Sequence, residues 1–377
     1  MGADAGQAER APMRSAAVYA LLLALGALDA AGYSLIAPVL PGLAAQTGAG
    51  ATAMGLLVAT FPLGMVAGFA LGGSVVQRST PARLLLMGLL LVAAGSLGFI
   101  FGADLAAFAV SRLVMGLGSG CLWLGITFAT LAAWPGQEYL CMSRIYAAYS
   151  AGGLLGPLLG AVHGVRGPFF AYLTLVLLGV VPVATLRLPS AVGAFTTDRR
   201  AVRTPGFLAA AASIAFGVLA LGTLEGVLPL HFGTRLHQSQ IGVLYAATSV
   251  LVVVAGAVAA RWRPRRVMLG STVPVAVGFA VAGASSAVPL WIAALAVAGV
   301  GIGLANTGAT GILLDAVPAQ RIVTAMVLWS QIGILGYLVA PLLGGPTADA
   351  FGYGAVAAVV ALTAAALAVM LARPGRA

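Results

Sequence analysis

The chain has 377 residues, 61% of them hydrophobic and only 7% charged; soluble domains carry about a quarter charged residues, so a water-soluble fold is excluded. Its net charge of +10 comes entirely from arginine, because the 19 basic residues include no lysine. The arginines gather at the ends of apolar runs rather than on one polar face, which excludes nucleic acid as their target.

Residues 1–14 are polar and are expected to form a disordered cytoplasmic N-terminus. The apolar run that follows is too long for a signal h-region, so no cleavage is expected. Twelve spans are predicted, at 15–40, 52–76, 82–102, 106–133, 142–163, 168–188, 207–230, 239–260, 266–286, 289–314, 322–344 and 351–372. Each is long enough to cross a hydrocarbon core of about 30 Å at about 1.5 Å per residue. With the N-terminus inside, Arg166 and Arg235 fall outside and Arg112 within the fourth span, leaving the other 16 arginines on the inner side. That asymmetry predicts a multi-pass cell-membrane protein with both termini cytoplasmic and anionic lipid as the arginines' contact.

The spans divide into an N-terminal six-helix bundle at 15–188 and a C-terminal one at 206–372, joined by a polar, proline-flanked linker at 189–205 and followed by a cytoplasmic C-terminus at 373–377. The remaining loops leave no room for a soluble catalytic domain. The halves repeat each other: the Gly73–Arg83 segment returns 183 residues later at Gly256–Arg266, and Gly156-Pro157 returns 184 residues later as Ala340-Pro341. Paired halves in an apolar chain predict a binding site between them.

Glycines fall four apart on one face of three spans: Gly64, Gly68 and Gly72; Gly152, Gly156 and Gly160; and Gly336 and Gly344 flanking Ala340. Such stripes let helices pack closely; their recurrence in both halves also fits helix pairs that slide or rock. Pro157 and Pro341 each leave a carbonyl unpaired one turn earlier and soften their helices.

Three charges, Asp29, Arg112 and Glu225, lie within predicted spans away from the inner ends where the other arginines gather, and near the bilayer centre each costs about 2.5–3.5 kcal/mol on insertion scales. Asp29 lies ~16 Å and Arg112 ~9 Å below the outer ends of their spans, a difference a guanidinium can bridge. Two readings stand: a structural ion pair, or a site where protonation of Asp29 competes with substrate or with Arg112. Glu225, near the outer end of the seventh span, either reaches for headgroups or recognises substrate. Asp315 and Glu138 read as cytoplasmic loop or gate residues. Tyr33, Trp123, Asn306, Trp329 and Gln331 are candidates to complete a cavity for a cationic or lipophilic ligand, the alternative for each being packing. Cys121, Cys141 and three scattered histidines form neither a disulfide framework nor a metal-ligand cluster, and no nucleophile–His–acid set occurs within the spans. Neither an enzyme nor a bound cofactor or metal is expected.

Asp29 to Pro41 in the first span resembles the opening helix of drug–proton antiporters of the major facilitator superfamily, the group of tetracycline exporters and vesicular monoamine transporters. Gly73 to Arg83 resembles the superfamily's loop motif, with Arg78 and Arg83 retained but Gln77 in place of its aspartate and Thr80 and Pro81 in place of glycine and arginine. Ser111 to Gly118 is similar to the fourth-span motif whose arginine takes part in proton coupling, and Gly152 to Gly160 to the fifth-span antiporter motif. Leu224 to Pro229 resembles a vesicular-transporter stretch whose glutamate contributes to substrate recognition. The resemblance implies an all-α membrane protein of two pseudo-symmetric six-helix bundles, monomeric, exporting a small molecule against protons by alternating access. It assigns proton coupling to Asp29, Arg112 and Glu225, with Asp29 and Glu225 also in the substrate site. Import of a metabolite, and a non-transporting receptor or assembly partner, are the other functions weighed.

Overall fold

The structure, a computed structural model, describes residues 5–76, 80–134, 137–186, 188, 204–318 and 321–372. Every regular element among them is helical. The first half comprises α1 (Ala5–Ser34), a 3-10 turn (Ala37–Val39), α2 (Leu40–Thr47), α3 (Ala51–Val76), α4 (Pro81–Phe101), α5 (Leu105–Ala133), α6 (Glu138–Gly160) and α7 (Gly167–Ala184). The second comprises α8 (Pro205–Gly226), α9 (Leu228–Phe232), α10 (Gln238–Ala259), α11 (Pro264–Ala284), α12 (Val288–Ala316), α13 (Ile322–Phe351) and α14 (Tyr353–Ala372). Among the described residues, eleven helical segments are long and apolar enough to cross a membrane. Helix α6 falls short because Ser143, Arg144, Tyr146, Tyr149 and Ser150 interrupt its apolar run. It nevertheless occupies the place predicted for the fifth span.

Local chemistry sets several helix ends. Asp104 caps α5, its carboxylate accepting from the Ala107 N–H at 2.8 Å, and Thr204 caps α8 by accepting from the Phe207 N–H at 3.2 Å. Helix α1 begins at Ala5, inside the segment expected to be disordered: alanine, glutamine, glutamate and arginine are good helix formers and extend it beyond the apolar run. Helix α13 continues to Phe351, past the predicted end at residue 344. Pro346 forfeits only one backbone bond there, which packed membrane helices tolerate. The predicted seventh span is divided into α8 and α9. Arg78, the linker residues 189–203, and the termini 1–4 and 373–377 lie outside the described residues. Gly73 lies in α3, and Arg83 is exposed in the first turn of α4.

The glycine stripes pack helices within each half. A Cβ on Gly64 or Gly68 would meet the Leu113 or Leu117 carbonyl of α5 at 2.1 and 2.3 Å; one on Gly152 would meet the Ala27 carbonyl of α1 at 1.9 Å. Gly156 continues that contact to the end of α1 and Gly160 meets Leu35 and Pro38 just beyond it, while Gly336 lies against α8 and Gly344 against Val227 just beyond its end. The faces between halves use other glycines. Gly55 lies under the Pro341 carbonyl, with 2.3 Å to its missing Cβ, and Gly242 under the Pro157 carbonyl at 2.6 Å. The two prolines of the repeat therefore mark matched crossings, α6 on α10 and α13 on α3.

Gly152→Ala is expected to force α1 and α6 apart and cost about 1–3 kcal/mol, read as a lower melting temperature of purified protein. Gly270→Ala, with nothing within 4 Å of the added Cβ, should leave melting unchanged or slightly raised.

Candidate functional site

Between the halves lies a cavity of about 340 Å³. Tyr33, Ser34 and Glu225 line it on α1 and α8, while Ser143, Leu314 and Met326 line it within one or two turns of the opposite ends of α6, α12 and α13. Tyr33 of the first half packs on Tyr337 of the second with ring centroids 4.3 Å apart, which seals one end.

Two of the cavity-lining helices, α1 and α8, break beside the site. Pro38 has no N–H for the Ser34 carbonyl and Pro229 none for that of Glu225, so α1 ends at Ser34 and α8 at Gly226. At the first break the Arg112 guanidinium caps the two carbonyls that precede Ser34. It is fully buried, and donates from Nη1 to the Gly32 carbonyl at 3.0 Å and from Nη2 to the Tyr33 carbonyl at 2.9 Å. Its carbon lies 4.5 Å from the Phe61 ring centroid and 5.5 Å from that of Tyr33.

Glu225 is 6% exposed, and its Oε2 is buried with no hydrogen-bond partner. Tyr33 Oη is likewise buried and unpartnered. Arg112 lies within electrostatic reach of Glu225 without a direct ion pair. An unpaired polar atom in an apolar surround is costly, so it marks a place where a ligand or a proton gains most.

Asp29 is placed elsewhere. It is buried inside the first half, facing Ser119 of α5 out of hydrogen-bonding geometry, and within electrostatic reach of Tyr149 and Tyr172. It does not line the cavity, because Ala30, Tyr33 and Ser34 form the facing side of α1 and Asp29 lies about a quarter turn away. The expected Asp29–Arg112 approach is replaced by Arg112 on the α1 carbonyls. Trp123, Asn306 and Trp329 do line the cavity, the Trp329 indole N–H donating to the Ala210 carbonyl at 3.0 Å. Gln331 does not, because Met326, Trp329, Ser330, Gly333, Ile334 and Tyr337 mark the facing side of α13 and Gln331 is turned away from it.

The sequence reading missed Tyr146, Tyr149 and Tyr337, which add aromatic faces; Trp123 makes edge contacts with Tyr146 and Tyr149 at 5.1 and 5.4 Å. The spacing of Ser143, Tyr146, Ser150 and Gly153 along α6 is a helical polar stripe that periodicity alone could have flagged.

At the sealed end two side chains tie the halves together. The Asp349 carboxylate of α13 accepts from the Ala51 and Thr52 N–H groups at the start of α3, at 3.1 and 2.8 Å. The Gln238 amide of α10 donates to the Gly160, Val162 and Gly164 carbonyls at 2.7, 2.7 and 3.0 Å. A carboxylate at a helix N-terminus is worth about 1 kcal/mol. Asp349→Asn should therefore raise the ratio of open to closed forms at this end about fivefold, measured as spin-label distances between Gln46 and Thr234.

The sequence model of the Major Facilitator Superfamily matches residues 22–253 and 208–377. Over 154 residues the chain is 27% identical to "Multidrug resistance protein 2" of Bacillus subtilis (strain 168), a match covering 40% of this chain and 38% of that protein. Over 143 residues it is 27% identical to "Quinolone resistance protein NorA" of Staphylococcus aureus (strain MRSA252), covering 37% of each. The chain thus spans less than two fifths of the curated relatives it matches. Among solved structures, an inward-facing, unoccupied bacterial homolog of the human lysosomal transporter Spinster superposes with a TM-score of 0.73 at 13% identity, over 95% of this chain and 94% of that one. The nucleoside transporter NupG gives 0.72 at 12% identity, over 94% and 98%. Identities this low establish the shared fold alone.

Proposed function

Because the chain belongs to the Major Facilitator Superfamily, it is a multi-pass membrane transporter rather than an enzyme, and we propose that it exports small lipophilic cations in exchange for protons. The observation that carries this reading is the buried Glu225 carboxylate, unpartnered at Oε2, in an aromatic-lined cavity between the halves. A cation gains the carboxylate and the ring faces together. A proton gains the same carboxylate, so the two ligands exclude each other, and such mutual exclusion is what exchange requires. The drug-resistance relatives support the direction of transport.

In this reading the protein sits in the cell membrane with both termini cytoplasmic, and the sealed outer end corresponds to the inward-open stage of alternating access. Arg112 holds α1 in its broken form and provides positive charge near Glu225. Asp29 acts inside the first half, coupled to the cavity through the helix it shares with Tyr33. Asp29→Asn is accordingly compatible with cation binding.

The test is ΔpH-driven uptake of ethidium into inside-out vesicles. Accumulation that collapses when ΔpH is dissipated supports proton-coupled export. Ethidium handling identical to that of vesicles lacking the protein rejects it.

A further inference from the structure

The helix breaks at the cavity form a matched pair, and the second has its own cap. In α1, no backbone N–H reaches the Gly32 or Tyr33 carbonyl among the described residues, and Arg112 fills both. In α8, the chain turns at Val227 before α9 starts, and no turn or loop N–H among the described residues reaches the Leu224 carbonyl. The hydroxyl of Tyr245, from α10, donates to that carbonyl at 2.5 Å. Tyr245 is 2% exposed and does not line the cavity, and its ring packs edge-on against Phe232 of α9 at 6.4 Å. One side chain thus touches both pieces of the broken helix, at the residue next to Glu225.

We propose that Tyr245 is a positioning residue of the cation site: its bond to the Leu224 carbonyl fixes the last turn of α8 and so holds the Glu225 carboxylate in the cavity. This inference rests on the reading of Glu225 as the cation-binding group. The phenol has a single proton, and that proton is committed to Leu224, so Tyr245 acts on Glu225 through the backbone rather than by donating to it. Without the cap, the freed carbonyl at the broken end must find another donor, and the turn carrying Glu225 moves to do so.

The experiment is a double-mutant cycle on binding of tetraphenylphosphonium to purified full-length protein, with Tyr245→Phe, Glu225→Gln and the double variant. Tyr245→Phe keeps the ring against Phe232 and removes only the donor. It should weaken binding about tenfold and displace the pH dependence of binding. In the Glu225→Gln background it should change binding less than twofold, because the group it positions is gone.

Wild-type affinity in Tyr245→Phe, or an equal loss in both backgrounds, overturns the inference while leaving the cation site standing. Wild-type affinity in Glu225→Gln overturns the cation site itself. If Tyr245→Phe yields no folded protein by size exclusion, a fluorinated tyrosine at position 245 keeps the test open. Its more acidic hydroxyl is a stronger donor, so it should tighten binding only where Glu225 is present, and an unchanged affinity counts against the proposal.

Discussion

Glu225→Gln is expected to abolish proton-driven ethidium uptake while leaving the protein folded and at least as heat-stable as the wild type. The substitution preserves shape and removes a carboxylate whose Oε2 makes no hydrogen bond. A buried, unpartnered acid destabilises the fold it sits in, so neutralising it relieves cost rather than adding it. Function moves the other way. A charge-assisted contact is worth about 1.5–3 kcal/mol, so affinity for a lipophilic cation should fall about 10- to 150-fold. Uptake should fall further, to the level of empty vesicles, because the amide cannot carry a proton at all. A variant that melts higher and transports nothing separates this site from ordinary packing, where loss of function and loss of stability travel together. Melting temperature and ΔpH-driven uptake on the same preparation check both halves of the expectation.

Arg112→Met is expected to have the opposite signature, a large loss of folded protein. The arginine is fully buried and is the donor to the carbonyls of Gly32 and Tyr33. Methionine fills much of the volume and supplies no hydrogen. Each orphaned buried acceptor costs about 1–3 kcal/mol, so the two together cost about 2–6 kcal/mol, before the lost contact with the Phe61 ring. Arg112→Lys keeps the charge but replaces a two-pronged fork with a single ammonium, and should recover part of that loss. Folded yield and melting temperature of both variants check it. A methionine variant with wild-type melting contradicts the role assigned to Arg112 at the α1 break.

These signatures bear on what could be read before the structure. The all-helical membrane fold and its repeated halves followed from hydropathy and from segments repeating 183 residues apart, because bilayer thickness and repeat period are one-dimensional properties. Depth along a helix was only partly legible, although rise per residue is fixed: Glu225, read as lying near the outer end of its span, is buried and lines the cavity. Azimuth was not. Asp29 and Tyr33 are a turn apart on one helix, yet only Tyr33 reaches the cavity. Gln331 lies two residues from Trp329 and faces away. Which side of a helix meets the cavity is decided by neighbours it packs against, and an apolar helix in lipid has little polar contrast to announce it.

The glycine stripes show the same limit. Close packing was legible from the four-residue spacing, but not the partner helix, and the contacts proved to lie within halves. Asp349 was passed over because the predicted eleventh span ends at residue 344, whereas α13 runs on to Phe351 and delivers its carboxylate to the start of α3. Pro38 and Pro229 lie inside the predicted spans 15–40 and 207–230, so neither break was anticipated. The side chains that cap them, Arg112 and Tyr245, come from helices far along the chain, and spacing cannot pair them.

The central claim, that one carboxylate serves proton and cation in turn, is tested most directly by counting protons. Tetraphenylphosphonium is added to purified protein in weak buffer with a pH-sensitive dye, over about pH 6 to 9. The account predicts a release that peaks within that range, approaching about one proton per cation bound, and no release from Glu225→Gln. Cation binding with no proton release at any pH, or the same release from Glu225→Gln as from the wild type, contradicts it.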